Sequence, residues 1–257
     1  MQILFLGTGT SVGVPVIGCT CATCTSPDPK NKRFRPSILV SHNGKNVLVD
    51  TPPDLRSQAL TFGVTRVDAV LLTHTHADHL NGLDDLRQFT NLQGEYIPLY
   101  GREEHLRRVQ TTFDYAFVPG RDYPGFPRLR GESLNGRLEL FGLTITPLEV
   151  HHGGMRVSAF RFEDEAGHRV AYVTDTNHIP EATMKELTDL DVLILDALRY
   201  RPHPVHFSLA QAIAVARQLQ PRQTYFTHVA HDLEHHTVNA ALPPEMALAY
   251  DGLVISF

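Results

Sequence analysis

The sequence predicts an α/β domain in which mixed β-sheets carry helices on their outer faces, and three observations lead there. Strand-like runs recur at 2–6, 37–41, 46–50, 68–73, 97–100, 137–141, 143–149, 157–162, 169–174, 192–196, 223–227 and 253–256. Helical patterns fall between them at about 53–62, 84–90, 102–113, 180–188, 208–219 and 244–249. The 257 residues, 42% hydrophobic and 20% charged, are enough to bury one large core, so residues 1–257 read as a single domain. Hairpin-type strands dominate the first half and strand–helix alternation grows in the second, as expected of mixed sheets with helices outside them.

The elements have local causes. Residues 2–6 run into glycines with no basic stretch before them, and read as a first strand and not as a signal peptide. Pro180 opens a helix where proline is tolerated. Ser208 is a helix N-cap ahead of an apolar face that repeats every 3.6 residues through 219. Residues 114–136 hold Pro119, Pro124, Pro127, Gly120, Gly125 and Gly131 with Tyr115, Tyr123 and Phe126, and read as a long loop of the kind that carries function. Arg121, Arg128 and Arg130 in it could reach an anionic substrate, or simply sit solvated on a surface excursion.

Composition narrows the classes. A net charge of −5 argues against a broad nucleic-acid surface, while leaving room for a small anion pocket. No apolar run is long enough to span a bilayer, so no membrane partner is expected. Three closely spaced cysteines, an odd number, argue against a disulfide framework and fit a reducing, cytoplasmic setting.

Fifteen histidines call for an explanation, and residues 73–79, Thr-His-Thr-His-Ala-Asp-His, supply much of it. The run follows the apolar strand 69–72, so His74, His76, Asp78 and His79 are presented together at one sheet edge. Three further apolar strands end in ligand-type residues: 143–150 in His151 and His152, 170–174 in Asp175, and 223–227 in His228. A lone His or Asp at a strand end is usually a turn residue; three such ends added to the first cluster point to a common site. The expected arrangement has one divalent metal on His74, His76 and His152, a second on Asp78, His79 and His228, and Asp175 bridging them, with a bridging hydroxide completing both shells. His151 is the rival of His152, which is preferred because glycine follows it. Imidazole and carboxylate suit zinc, manganese or iron alike. Asp50, at the end of strand 46–50, either accepts a hydrogen bond from a metal-bound histidine or starts the turn into Thr51-Pro52.

Cys19, Cys21 and Cys24 form a second cluster. The last two have the C-x₂-C spacing of zinc sites, and His231, three residues after His228, is the expected fourth ligand of a structural zinc.

Taken together, residues 74–79 followed by His152, Asp175 and His228 resemble the ligand order of the metallo-β-lactamase-fold hydrolases. A narrower resemblance lies in residues 7–24, Gly-Thr-Gly-Thr-Ser-Val-Gly-Val-Pro-Val-Ile-Gly-Cys-Thr-Cys-Ala-Thr-Cys, which are similar to the phosphoribosyl cyclic phosphodiesterase branch of phosphonate degradation. The resemblance implies a four-layer αββα sandwich of two mixed sheets flanked by helices, two divalent metals (zinc or manganese) and one structural zinc on the three cysteines and His231. It also implies a histidine after the strand that follows Asp175, which protonates the leaving group or holds phosphate; His206 fits best, with His203 as its rival. Asp78 and His206 are thus the candidate catalytic residues. The implied activity is hydrolysis of a small phosphodiester, such as a cyclic nucleotide-like or ribosyl cyclic phosphate, by a metal-bridging hydroxide. Alternatives on the same site are thioester or carboxyl-ester hydrolysis and a tRNA 3′-processing-like nuclease, whose protruding basic arm is not evident here. Relatives suggest a homodimer by analogy.

Overall fold

Alternation with period two decides which layer each strand side chain enters. In the computed structural model, which describes residues 1–118, 120 and 125–257, Ala69 and Leu71 face one core while Val70 and Leu72 face another. Val192 and Ile194 likewise part from Leu193 and Leu195. The strands are β1 (Gln2–Gly7), β2 (Ser37–His42), β3 (Lys45–Val49), β4 (Ala69–Leu71), β5 (Ile97–Gly101), β6 (Leu129–Ser133), β7 (Leu138–Leu140), β8 (Leu143–His152), β9 (Met155–Glu163), β10 (Arg169–Val173), β11 (Val192–Asp196), β12 (Gln223–Thr227), β13 (Met246–Leu248) and β14 (Val254–Ser256). They form two seven-stranded sheets, ordered β14-β1-β2-β3-β4-β5-β6 and β13-β12-β11-β10-β9-β8-β7.

The helices are α1 (Ala22–Thr25), α2 (Leu55–Phe62), α3 (Ala77–Leu80), α4 (Leu86–Gln93), α5 (Glu103–Thr112), α6 (Glu181–Glu186), α7 (Leu209–Leu219) and α8 (His235–Ala241). Leu55, Leu86, Phe89 and Leu106 of α2, α4 and α5 pack on Leu48, Val70 and Leu99 of the first sheet. Leu209, Ala212, Ala216 and Val238 of α7 and α8 pack on Leu193, Leu195 and Phe226 of the second. Between the sheets lie Ile3, Phe5, Ile38, Phe160, Phe162, Tyr172 and Ile194. The layers are therefore helix, sheet, sheet, helix, the metallo-β-lactamase sandwich, and each buried Leu, Ile or Phe contributes about 1.5–3 kcal/mol to holding them together.

Three sequence expectations are corrected. Residues 244–249 are not a helix: Met246 and Leu248 alternate into the core of strand β13, which pairs in parallel with β12. Pro243 and Pro244 precede it, and proline disfavours a helical residue before it. Residues 114–136 are not all loop, because 114–117 form a 3₁₀ turn and Leu129–Ser133 pairs in parallel with β5; Arg121 lies outside the described residues. Hairpins do not belong mainly to the first half: β1–β3 and β7–β10 are antiparallel, and each run continues into parallel strands, β3–β6 and β10–β13. The two halves thus repeat one plan, and both aim the carboxyl ends of their parallel strands at the same edge. Ser208 caps α7 as expected, in a reciprocal capping box with Gln211.

Candidate metal centre and active site

Of the seven non-glycine residues with positive φ among the described residues, three stand just past the carboxyl ends of parallel strands. Asp50 follows β3 with φ 64°, Asp175 follows β10 with φ 51°, and His228 follows β12 with φ 58°. Non-glycine residues seldom occupy this left-handed region, and such outliers cluster at functional sites. Each turn aims a side chain inward that a continuing strand would place in a sheet face.

These turns bring the ligand-type residues together. His74, His76 and His152 offer ring nitrogens within 4.8 Å of one another, and so do Asp78, His79, Asp175 and His228 with their ligand atoms. Asp175 Oδ2 is 3.1 Å from His79 Nε2, and its Oδ1 is 3.4 Å from His228 Nε2 and 4.0 Å from His74 Nε2. Asp78 Oδ2 is 3.4 Å from His79 Nε2 and 3.6 Å from His228 Nε2. The Nε2 atoms of His74, His79 and His228 are buried and make no hydrogen bond. Buried polar atoms are almost always partnered, so three lone pairs converging on two carboxylates fit divalent cations, which take imidazole and carboxylate donors.

Electrostatics agree. Burial, helped by His79 and His76, holds the His74 imidazole well below its usual range. Burial would depress His79 and His228 too, but Asp175 and Asp78 outweigh it, and His228 is raised to about 9. Those two histidines keep both carboxylates ionised against the pull of burial. A cation entering here therefore displaces protons, and its affinity rises with pH.

The orienting partners come from neighbouring strands. Asp50, fully buried, accepts from His79 Nδ1 (2.7 Å), the Thr73 backbone N–H (2.8 Å) and the Thr73 hydroxyl (2.8 Å). His152 Nδ1 donates to the Val205 carbonyl at 2.8 Å. His151, on the other face of β8, lies 3.4 Å from Glu149 and near the His178 ring, away from the cluster. His206 Nδ1 is 2.8 Å from Asp196 Oδ2, which also accepts the Thr176 N–H at 3.0 Å. The His206 ring stacks on His228 at 4.6 Å and meets His152 edge-on at 4.6 Å. His203 is one ring further out, 5.1 Å from His206.

Asp196 was not singled out in the sequence, although it ends an apolar strand just as Asp175 follows one. Arg128, left open between reaching substrate and lying solvated, donates to the Thr90 carbonyl at 2.7 Å, and Arg130 lies 5.9 Å over the Tyr96 ring.

At the second cluster, Cys19, Cys21 and Cys24 place their sulfurs 3.3, 3.4 and 3.5 Å from His231 Nδ1. A tetrahedral zinc with bonds of about 2.0–2.3 Å sets ligand atoms at such separations. The Cys24 N–H, donating to Cys21, lowers that thiol to about 6, while burial raises Cys24 to about 11. Hydrogen bonds between residues 8–10 and Val229 join this loop to the His228 turn. The preceding glycines are steric requirements: a side chain on Gly7 would overlap the Arg35 carbonyl.

Residues 45–229, more than half of the chain, match the family model described as a beta-lactamase superfamily domain, and the chain belongs to that superfamily as a metallo-β-lactamase-fold hydrolase. Within it the chain lies near the PhnP family. A crystal structure described as a new diphosphatase from that family is 42% identical, with a TM-score of 0.91 over 100% of this chain and 97% of that one. The Zn(2+)-bound PqqB of Methylobacterium extorquens, 20% identical, shares the fold with a TM-score of 0.83 over 100% of both chains. A curated octanoyltransferase of Porphyromonas gingivalis is 35% identical over 258 residues, 98% of this chain. This chain spans about half of that protein's length, 51%. Among the described residues no helix is long and apolar enough to cross a membrane.

Proposed function

We propose that the chain, as one domain over 1–257, is a dinuclear-metal phosphohydrolase that cleaves a small disubstituted phosphate, either a phosphodiester or a substituted diphosphate. His74, His76 and His152 would hold one divalent cation, Asp78, His79 and His228 the other, with Asp175 between them. Cys19, Cys21, Cys24 and His231 would hold a structural zinc. A pair of divalent cations supplies Lewis acidity and a water nucleophile near neutral pH. The observation that carries the reading is the set of buried, unbonded Nε2 atoms facing two carboxylates beside a carboxylate-held His206.

The chain's own groups account for the rest. Asp50 and the Val205 carbonyl fix the tautomers of His79 and His152, leaving each Nε2 lone pair free. Asp196 holds the His206 Nδ1–H, so Nε2 of His206 is the atom that gives a proton to the departing oxygen. Asp78, at the rim of the buried cluster, orients the attacking water. The name of the 42% identical relative, a diphosphatase, supports phosphorus as the centre attacked and adds the P–O–P bond to the phosphodiester expected from sequence.

The test is turnover by the zinc- or manganese-loaded protein on bis(p-nitrophenyl) phosphate, a dinucleoside diphosphate, a thioester, nitrocefin and a precursor tRNA. Phosphoryl hydrolysis lost in Asp175→Ala is the expected result. Thioester turnover alone would replace this reading with a thioesterase, and cleavage confined to a precursor tRNA would replace it with a nuclease.

A further inference from the structure

The four residues from Asp175 to His178 tie the end of β8 to the segment that carries His206. The Thr176 N–H donates to Asp196 Oδ2 (3.0 Å), the carboxylate that holds His206, and the Thr176 carbonyl accepts the Phe207 N–H (2.8 Å). On the other side, the His151 N–H donates to the His178 carbonyl (2.9 Å) and the Asn177 N–H to the His151 carbonyl (3.0 Å). The Thr176 hydroxyl lies 3.0 Å from that same His151 carbonyl. The backbone of Asn177 is thereby pinned to the last turn of strand before His152.

From there the Asn177 side chain reaches both loops of the site. Its Oδ1 accepts the Gly153 N–H (2.8 Å), directly after His152, and its Nδ2 donates to the Pro204 carbonyl (3.0 Å), two residues before His206. The loops are in close contact here, since a Cβ on Gly153 would stand 2.7 Å from Val205 Cγ1. A second tie, His152 Nδ1 to the Val205 carbonyl, runs through an imidazole, whereas Asn177 fixes backbone on both sides. The Gly153 N–H can only donate and the Pro204 carbonyl can only accept, so the two ends of one amide are both used. A carboxylate, which only accepts, can serve one side and not the other.

We propose that Asn177 is a positioning residue: it holds the His206 loop against the turn after His152 and so aims the His206 proton at the departing oxygen. Its effect on turnover rests on the phosphohydrolase reading; its effect on where the His206 ring sits does not. The ring is 4.6 Å from both His152 and His228, and a misplacement of about 1 Å can cost about 100-fold in rate. A proton donor matters most for a poor leaving group. p-Nitrophenolate departs without a proton, whereas phenolate gains from one. A displaced His206 therefore gives a loss that depends on the leaving group, which a general loosening of the site does not.

Asn177→Asp separates the two arms, because its carboxylate still accepts the Gly153 N–H but repels the Pro204 carbonyl. In the zinc-loaded full chain it should lower kcat for diphenyl phosphate by roughly 10–100-fold and that for bis(p-nitrophenyl) phosphate by no more than about threefold. The His206 ring signals in the NMR spectrum should shift, and zinc affinity, read by chelator competition, should be no weaker. Asn177→Ala releases both loops, so it should shift the same signals and also weaken zinc binding by about tenfold, a loss that Asn177→Asp restores. Equal slowing of both esters, unmoved His206 signals in Asn177→Asp, or full zinc affinity in Asn177→Ala overturns the positioning role. Ring signals and zinc affinity need no turnover, so the two readings fail separately. Phosphoryl hydrolysis with unmoved ring signals overturns the positioning role alone. Signals and affinities that follow this pattern in a chain without phosphoryl hydrolysis retire the activity and uphold the placement of His206 by Asn177.

Discussion

Asp50→Asn should weaken cation binding at the proposed Asp78, His79 and His228 site without disturbing the fold, because it changes which protons can be accommodated and almost nothing else. Asp50 is fully buried, and its two oxygens accept three hydrogen bonds, from the Thr73 N–H, the Thr73 hydroxyl and His79 Nδ1. Asparagine has the same shape but one acceptor oxygen. The Thr73 backbone N–H can only donate, so the amide oxygen must face it and the amide NH₂ must face Thr73 Oγ1 and His79 Nδ1. The hydroxyl can turn to accept. His79 can accept at Nδ1 only by moving its proton to Nε2, the atom 3.1 Å from Asp175 that a cation needs bare. Keeping the original tautomer instead leaves a buried donor facing a donor, at about 1–3 kcal/mol. Either way, cation affinity at the Asp78, His79 and His228 half should fall roughly 10–100-fold, equivalent to about 1.4–2.7 kcal/mol. Competition against a chromophoric chelator reads the affinity of each divalent cation added, and circular dichroism verifies the fold. A variant that binds its cations as tightly as the unmodified chain would refute the tautomer argument.

Other outcomes follow from the same contacts. Cys24→Ser should remove one zinc per chain by atomic absorption and lower the melting temperature by roughly 5–10 °C, for about 2–3 kcal/mol lost; an unchanged zinc count contradicts the cysteine cluster. Gly153 has φ 61°, and a Cβ there would sit 2.7 Å from Val205 Cγ1, so Gly153→Ala should push the His206 loop outward and lower kcat more than it raises KM. Unaltered kcat would show that the loop position is immaterial. Burial, with Arg33 and Lys30 nearby, pushes His235 down from 6.5 to about 4. The unfolded chain therefore binds the extra proton between those values, and stability present above pH 6.5 is lost as pH falls towards 4. His235→Phe keeps a ring against Tyr250, 5.6 Å away, and should flatten the dependence of melting temperature on pH in that window; an identical slope would be evidence against His235 as its source.

The legible part of the site was the part written on single strands. Residues 74–79 stand out because four ligand types follow one apolar run, and Cys19, Cys21 and Cys24 because their spacing is local. Asp196 looked like any strand end, and its role beside His206 depends on the parallel neighbours of β11, which periodicity does not name. Asn177 was invisible for a related reason: it acts by donating to the Pro204 carbonyl and accepting the Gly153 N–H, contacts made across the fold. Residues 244–249 misled because a short apolar run reads equally as helix or strand, and only pairing with β12 decides between them.

By itself the sequence determined the layered α/β architecture and the kinds of donor atoms at strand ends, because burial alternates with period two and ligand chemistry belongs to residue types. Only the tertiary structure decided which strand ends meet. Parallel pairing in both sheets aims distant turns at one edge, and there left-handed residues at 50, 175 and 228 turn their side chains inward. Register and neighbour order are set by packing between sheets, which no local stretch of chain encodes.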